Sequence, residues 1–232
     1  MKSTPILILP GTLCTGAMFK QQIAHLSQCC DEIDVVQFST ENTLADMAQK
    51  VIQVANDRAC AIIGFSMGGI VAMEVARTRP DIIAKLALIN SNSHADLPER
   101  KVARAAQIAR VRNGGLAQLV SETLLPNYLY TANPAHETLI TEMALSLGAA
   151  CFEAQVTAIE DRPDSLSVLQ ALDTNLLIIG GEDDKVCPAS HQQAMYQATP
   201  TSQLVLLEQC GHFSPLEQAD DVSRLLSQWY NS

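Results

Sequence analysis

One short stretch constrains this chain more than any other, because it joins two kinds of apolar periodicity across a very tight turn. Residues 59–63 form an apolar run containing β-branched side chains, and residues 70–76 carry apolar side chains at helical spacing. Gly64-Phe65-Ser66-Met67-Gly68 lies between them. The pattern therefore predicts a buried strand, a sharp turn at Ser66 and a helix that runs back against the strand.

The turn matches G-x-S-x-G, a spacing in which a strained strand-to-helix turn exposes a serine hydroxyl at the top of a sheet. Gly64, Gly68 and Gly69 have no Cβ, so the helix can pack closely against the strand. Ser66 would lie at a helix N-terminus, where free backbone N–H groups favour negative charge. We therefore expect Ser66 to be a nucleophile; an ordinary glycine-rich turn is the alternative.

The rest of the chain alternates predicted strands and helices, with one long interruption. Strands are predicted at 5–9, 33–38, 59–63, 83–89, 175–179 and 204–207. Helices are predicted at 16–28, 43–56, 189–198 and 216–230, and directly after Ser66. The fold class is α/β: a three-layer αβα sandwich with a mainly parallel six-stranded sheet and an inserted helical cap. Residues 1–94 and 163–232 would form the core, and residues 95–162 the cap.

Composition narrows the class of protein further. Of the 232 residues, 47% are hydrophobic and 17% charged, which argues against disorder, and no uninterrupted apolar run approaches the length of a membrane span. The net charge of −10 disfavours a nucleic-acid partner. The seven cysteines are scattered, and the first apolar stretch is too short for a secretory signal. We expect a cytoplasmic protein with no metal or other cofactor and no membrane partner.

A nucleophilic serine needs a general base, and an acid behind the base to orient it. In a parallel sheet such groups come from loops at the carboxyl ends of strands. His212 follows the last predicted strand directly. His25 and His191 lie in predicted helices and His136 in the cap, while His94 has no acid after it in the required chain order. His212 is therefore the predicted base.

The acid is predicted in the loop after the strand at 175–179. Glu182, Asp183 and Asp184 all lie there, and the physics of the sequence favours none of the three. The chain order serine, acid, histidine is the one described for the G-x-S-x-G turn.

These motifs together resemble the α/β-hydrolases, across essentially the whole chain. Within that family the chain is similar to short-capped serine esterases such as the pimeloyl-carrier-protein methyl ester esterases. The matching segments are Pro10-Gly11, Gly64 to Gly69, Gly181-x-x-Asp184-x-x-x-Pro188 and Gly211-His212. The resemblance implies that Asp184 is the acid and that the backbone N–H groups of Thr12 and Met67 form the oxyanion hole, with Leu13 as the reserve donor.

Two departures from the family pattern matter. The two usual N-terminal strands are absent, so the segment at 33–38 should form a sheet edge that is exposed or covered by a partner. Pro10 stands where the family commonly has histidine, which removes the hydrogen bonding that normally steadies the oxyanion loop.

The resemblance implies a serine hydrolase that cleaves carboxylic esters of small to medium acyl length through an acyl-enzyme. Substrate contacts are predicted for Leu13, Phe65, Leu124 and Leu125, although most apolar cap residues should simply pack the cap onto the core.

Basic residues concentrate at 100–112 of this otherwise acidic chain. They form either a solvated helix face or a docking site, through Arg100, Lys101 and Arg104, for an acidic acyl carrier or a coenzyme A thioester.

Other functions share the same residues. An acyl-carrier or coenzyme A thioesterase and a methyl ester esterase would use the same triad. So would a cofactor-free perhydrolase or haloperoxidase, and a lyase of the menaquinone-pathway type. A non-catalytic binding module belongs to a different class, but it would not need all three triad residues.

Overall fold

The computed structural model describes residues 3–232 and contains one parallel six-stranded sheet. Its strands are β1 (Ile6–Leu9), β2 (Ile33–Val35), β3 (Cys60–Phe65), β4 (Ile83–Ile89), β5 (Asn175–Gly181) and β6 (Gln203–Leu207). The strand order is β2-β1-β3-β4-β5-β6, and every neighbouring pair is parallel. β3, which leads into Ser66, therefore lies at the centre of the sheet.

Helices connect the strands throughout. They are α1 (Lys20–Leu26), α2 (Leu44–Ala55), α3 (Met67–Thr78), α4 (Pro98–Arg112), α5 (Leu116–Leu119), α6 (Pro134–Ala158), α7 (Leu166–Ala171), α8 (Ala189–Ala198), α9 (Ser214–Glu217) and α10 (Ala219–Asn231). The predicted helix at 16–28 begins instead with a 3₁₀ turn, Gly16–Phe19. The predicted last helix is divided at Gln218 into α9 and α10.

The two faces of the sheet carry separate hydrophobic cores, since the central strands are buried on both sides. On one face, alternate strand residues such as Leu7 and Ile62 pack with side chains of α2 and α3. On the other face, Ile8 and Ile63 pack with side chains of α1 and α10, including the buried Trp229. This arrangement is the predicted three-layer sandwich, so the fold class is confirmed.

The edge strand β2 ends earlier than predicted. It runs from Ile33 to Val35, whereas the sequence pattern extended to Phe38. Val36 and Phe38 are nevertheless buried, and the carbonyl of Phe38 accepts hydrogen bonds from Cys151 and Gln155 of α6. Residues of the same chain therefore cover the end of this edge.

The described residues between β4 and β5 contain helices and no strand. Side chains of α4, α5 and α6 share a third hydrophobic cluster, which includes Val111, Leu119 and Phe152 and also takes in Leu13. This is the helical insertion that the sequence predicts. The exact division of the chain into core and cap stays a prediction.

The longest helix, α6, has 25 residues and is apolar enough to cross a membrane by length and composition alone. Packed helices in protein cores pass the same test. α6 is interrupted at Gly148 (φ 81°, ψ 179°), and buried side chains such as Met143 and Phe152 pack into the cores described above. The expectation that the chain has no membrane partner stays a prediction.

The close approach of α3 to β1 yields a stability prediction. A Cβ added at Gly68 would lie 1.9 Å from the carbonyl oxygen of Leu9, which is backbone and cannot rotate away. We expect Gly68→Ala to lower the free energy of unfolding by more than the roughly 1–3 kcal/mol of ordinary overpacking. Gly16→Ala is the matched control, because its nearest neighbour is a Val35 methyl at 3.2 Å. Urea unfolding measures both variants, and equal losses would contradict this account.

Candidate active site

Ser66 lies at the sharp turn between β3 and α3. Its φ of 51° and ψ of −115° are strained for a residue with a side chain. Gly64 and Gly68 permit the turn, because a Cβ on either would meet backbone atoms at 2.6 Å or less. The turn thus presents the Ser66 hydroxyl at the carboxyl edge of the sheet, as the sequence predicts.

The structure brings together Ser66, His212 and Asp184. The His212 Nε2 atom lies 2.9 Å from the Ser66 Oγ atom, and the His212 Nδ1 atom lies 2.8 Å from the Asp184 Oδ2 atom. His212 and Asp184 are only 3% and 4% exposed. The other two acidic candidates, Glu182 and Asp183, are exposed. The distances from His212 to Ser66 and to Asp184 are those that general-base activation of a serine requires.

Asp184 is held by more than His212. Its Oδ2 atom also accepts a hydrogen bond from the side chain of Asn90 at 2.9 Å, and its Oδ1 atom accepts from the backbone N–H groups of Val186 and Cys187 at 2.8 Å each. Burial acts to raise the pKa of Asp184, but the charge of His212 and these hydrogen bonds outweigh it and hold the pKa below its usual value. The carboxylate is therefore ionised beside His212.

The sequence analysis missed Asn90, which is buried at the end of β4. Its side chain donates to Asp184 and to the carbonyl of Gly211 at 3.1 Å, and it accepts from the Ser214 hydroxyl at 2.5 Å. Asn90 thus connects the loop of the acid with the loop of the histidine. Its position directly after a buried strand, on the same sheet edge as Ser66, is the signal that could have found it.

The loop of His212 is fixed by Glu217, which the sequence analysis also missed. The Glu217 Oε1 atom accepts from the N–H groups of Gly211 and Phe213 at 3.1 Å each, and its Oε2 atom accepts from the N–H of Tyr130 at 2.7 Å. Burial raises the pKa of Glu217, while the three N–H groups act in the opposite direction. One carboxyl group therefore holds the backbone on both sides of His212.

The two predicted oxyanion donors lie in different elements, Thr12 in the loop after β1 and Met67 at the start of α3. No described residue accepts a hydrogen bond from the backbone N–H of Thr12 or Met67. The N–H of Leu13, in contrast, donates to the Gln155 Oε1 atom at 2.8 Å. Leu13 is therefore unsuited to the reserve role, and Thr12 and Met67 remain the candidate donors.

Gln155 steadies this loop, which has Pro10 where the family commonly has a histidine. It is fully buried on α6, accepts from Leu13 and donates to the carbonyl of Phe38 at 2.7 Å. Leu13 has a φ of 56°, so the bond holds a strained residue in place. In the sequence, the only signal of this role is a single amide side chain on the apolar helix face at 151–158, and that signal does not identify the groups it binds.

A cavity of about 250 Å³ opens onto Ser66 and His212. Of the predicted substrate contacts, Phe65 and Leu124 line it. Leu13 and Leu125 do not: Leu13 is buried in the cluster shared by α4, α5 and α6, and Leu125 packs against the same cluster. Leu13 lies in the turn after β1 and Leu125 begins a short 3₁₀ helix, and both side chains pack against apolar residues of this cluster.

The basic cluster at 100–112 divides in the structure. Arg100 and Arg104 line the Ser66 cavity, whereas Lys101 contacts Asp161 outside it. Arg104 is buried and ion-paired with Asp96 at 2.5 Å. The side chains predicted to form one docking surface therefore face different ways, and carrier binding stays a prediction.

Asp184, Cys187 and His212 offer ligand atoms within 4.8 Å of one another, the spacing of a possible metal site. Asp184 and His212 are already hydrogen-bonded to each other, and burial raises the pKa of the Cys187 thiol to about 12, so it stays protonated. These atoms fit a proton-transfer pair better than a metal site, and the absence of a metal remains a prediction.

The buried role of Gln155 can be tested by its removal. Gln155→Leu should lower the free energy of unfolding by about 1–3 kcal/mol for each buried group that it leaves unpaired, here the Leu13 N–H and the Phe38 carbonyl. Gln193→Leu, the same change on the exposed face of α8, should alter it by no more than about 0.5 kcal/mol. Chemical denaturation measures both. A loss no larger for Gln155→Leu than for the control would show that the oxyanion loop does not depend on this amide.

Two curated hydrolases are similar to this chain in sequence over most of its length. A curated relative from Serratia proteamaculans, a putative carbamate hydrolase (RutD), is 26% identical over 248 aligned positions, which cover 97% of this chain and 90% of the relative. A 2-hydroxy-6-oxononadienedioate/2-hydroxy-6-oxononatrienedioate hydrolase from a Pseudomonas species is 24% identical, with 83% of this chain and 70% of the relative covered.

Two solved structures share the whole fold. An esterase from Thermogutta terrifontis with malate bound has a TM-score of 0.89 at 28% identity, covering 99% of this chain and 90% of its own. The enol-lactonase from Burkholderia xenovorans has a TM-score of 0.87 at 21% identity, and the match covers 99% of this chain and 92% of the enol-lactonase chain. The sequence profile of the Alpha/beta hydrolase family matches residues 29–225. The chain thus belongs to the alpha/beta hydrolase family.

Proposed function

We propose that this hydrolase cleaves carboxylic esters of small to medium acyl length through a covalent acyl-enzyme on Ser66. The observation that carries the proposal is the position of His212, hydrogen-bonded to the Ser66 hydroxyl on one side and to the Asp184 carboxylate on the other. The similarity to an esterase of 28% identity supports an ester rather than another acyl compound.

In the proposed first step, His212 removes the proton of Ser66 through its Nε2 atom while the Ser66 oxygen attacks the ester carbonyl carbon. Asp184 orients the imidazole through Nδ1 and stabilises the imidazolium that forms. His212 then gives the proton to the leaving alcohol, and the carbon–oxygen bond of the ester breaks. Water, activated by His212 in the same way, hydrolyses the acyl-enzyme and restores Ser66.

The tetrahedral intermediate carries a negative oxygen that needs donors. The N–H groups of Thr12 and Met67 have no acceptor within residues 3–232, and Met67 is the first residue of α3, where the helix dipole favours negative charge. Donors of this kind each contribute roughly 2.7–4 kcal/mol to transition-state stabilisation.

The rival activities use the same residues and differ in the acyl compound. Cleavage of a thioester, a methyl ester or a carbamate would begin at the Ser66 hydroxyl or its base, and so would peracid formation and an elimination. The carbamate is included because of the name of the Serratia relative. A pure binding module would show none of them. Cytoplasmic localisation and docking of an acidic acyl carrier stay predictions.

A comparison of p-nitrophenyl esters from acetate to laurate tests the proposal. Wild type should hydrolyse the shorter esters, and Ser66→Ala should lower kcat by about 10⁴-fold or more because the nucleophile is gone. Ser121→Ala, an exposed serine on the inserted segment, is the matched control and should retain activity. Trapping of the acyl group on Ser66 by mass spectrometry checks the intermediate. Undiminished turnover by Ser66→Ala, or no turnover of any ester by folded wild type, would reject the esterase proposal.

Glu217 should act as a positioning residue for His212. Glu217→Gln replaces one acceptor oxygen by an NH₂ group, so at least one of the three backbone N–H groups loses its partner. We expect kcat to fall while KM changes little, measured well below the unfolding midpoint of the variant. Glu208→Gln, an exposed change nearby, should alter neither. If the variant is less stable but has a normal kcat when folded, the role of Glu217 is structural and it does not position His212 for the reaction.

A further inference from the structure

Three arginines line the cavity that opens onto Ser66: Arg100, Arg104 and Arg162. Arg104 and Arg162 are only 8% and 6% exposed, which is rare for this residue type. They come from two separate segments, α4 and the loop before α7. Three guanidinium groups in the wall of one small cavity demand compensation by negative charge, because burying a charge without a partner is costly.

The chain itself supplies only part of that charge. Asp96, whose side chain is fully buried, pairs with Arg104 at 2.5 Å and with Arg162 at 2.9 Å. No aspartate or glutamate is among the described residues that line the Ser66 cavity. Asp164 lines a neighbouring cavity together with Arg100 and Arg162, but its side chain is 52% exposed and lies 4.0 Å from His94. Asp96 is thus ion-paired with two of the three guanidinium groups, and Arg100 has no ion pair among the described residues.

Arg100 is the cation with spare hydrogen-bonding capacity. Within residues 3–232 it makes one long hydrogen bond, to the carbonyl of Val186 at 3.4 Å, and no ion pair with a carboxylate. A guanidinium group has five N–H donors in a planar arrangement that matches a carboxylate. The partial exposure of Arg100 leaves those donors accessible to a molecule in the cavity.

Burial and the arginine charges act together on the pKa values of two neighbouring groups. Burial lowers the pKa of Arg162; Asp96 acts against this, while the charges of Arg104 and Arg100 lower it further. Burial also lowers the pKa of His191, as do the charges of His94, Arg100 and Arg162, while Asp184 acts in the opposite direction. The cationic groups at this end of the cavity therefore lie close enough to repel one another.

We propose that the substrate of the Ser66 site is an ester that carries a carboxylate, and that Arg100 binds this carboxylate with electrostatic support from Arg104 and Arg162. This inference rests on the proposed esterase function and names its substrate class. The half-ester of a small dicarboxylic acid has the required chemistry on the acyl side, and an acyl ester of a hydroxy acid has it on the alcohol side.

The position of the arginines favours a small carboxylate over an acidic carrier protein. Arg104 is buried and ion-paired with Asp96, and both Arg104 and Arg100 share the wall of a cavity of about 250 Å³ with Ser66 and His212. A carrier surface would need exposed cations outside the cavity, and Lys101, which lies outside it, is already engaged by Asp161.

Matched ester pairs test the proposal in the wild-type enzyme. Monomethyl succinate, glutarate and adipate are compared with methyl butanoate, pentanoate and hexanoate, in which a methyl group replaces the carboxylate. Acetoxyacetate and ethyl acetate form the corresponding pair for the alcohol side. We expect kcat/KM to be at least about tenfold higher for the anionic member of one set, chiefly through KM. The preference should weaken at high salt. Equal or lower kcat/KM for the anionic members of both sets overturns the proposal.

Variants then assign the preference to Arg100. Arg100→Gln should lower the ratio of anionic to neutral kcat/KM by about tenfold. Arg112→Gln removes the same charge from the same helix, but Arg112 is exposed and paired with Glu153 outside the cavity, so the ratio should stay at the wild-type value. Equal effects of the two variants would mean that net charge, and not a subsite at Arg100, sets the preference, and would overturn the assignment.

A binding measurement separates failure of this inference from failure of the esterase proposal. Calorimetric titration of glutarate into Ser66→Ala needs no turnover. Binding that is lost when Arg100→Gln is added, and kept when Arg112→Gln is added, supports the anion subsite even if no ester is hydrolysed. Absence of glutarate and succinate binding, together with hydrolysis of neutral esters, would overturn the subsite and leave the esterase proposal intact.

Discussion

The close packing of α3 against β1 and β3 is the contact on which the rest of the site depends. A Cβ on Gly68 would lie 1.9 Å from the backbone oxygen of Leu9, so the helix could not keep its position with any other residue there. The same approach forces the positive φ of Ser66 and leaves the N–H of Met67 free at the helix start. The positions of the proposed nucleophile and of one proposed oxyanion donor therefore follow from one packing constraint.

This constraint also explains how much could be read from the sequence. The glycines, the apolar strands and the serine are local signals, so the six strands, their alternation with helices and the position of Ser66 were predictable. His212 was predictable because parallel strands bring their carboxyl ends to one edge. The choice of Asp184 over its two acidic neighbours needed the family pattern, since the direction of a side chain within a turn has no periodic signal.

What the sequence did not reveal is the set of buried polar partners. Asn90, Gln155 and Glu217 hold the loops of the proposed acid, oxyanion donor and base. Asn90 and Gln155 contact residues at least 94 and 117 positions away, and Glu217 also binds Tyr130, 87 positions away. A single Asn, Gln or Glu is compatible with many local structures, and its partner is fixed only when the whole fold is assembled. Two of the four predicted substrate contacts lie outside the cavity for a related reason: Leu13 and Leu125 have the same apolar character whether they pack or line a cavity.

The arginine cluster and the triad set opposing electrostatic demands on one cavity. In the proposed reaction an imidazolium forms on His212, which adds positive charge to a cavity whose wall already carries three guanidinium groups. Asp184 opposes this from behind His212, and Asp96 neutralises part of the charge of Arg104 and Arg162. A substrate carboxylate at Arg100 would supply the remaining negative charge when the reaction begins. A neutral ester would leave that charge uncompensated as the imidazolium forms, so the cavity would discriminate between the two in the transition state as well as in binding.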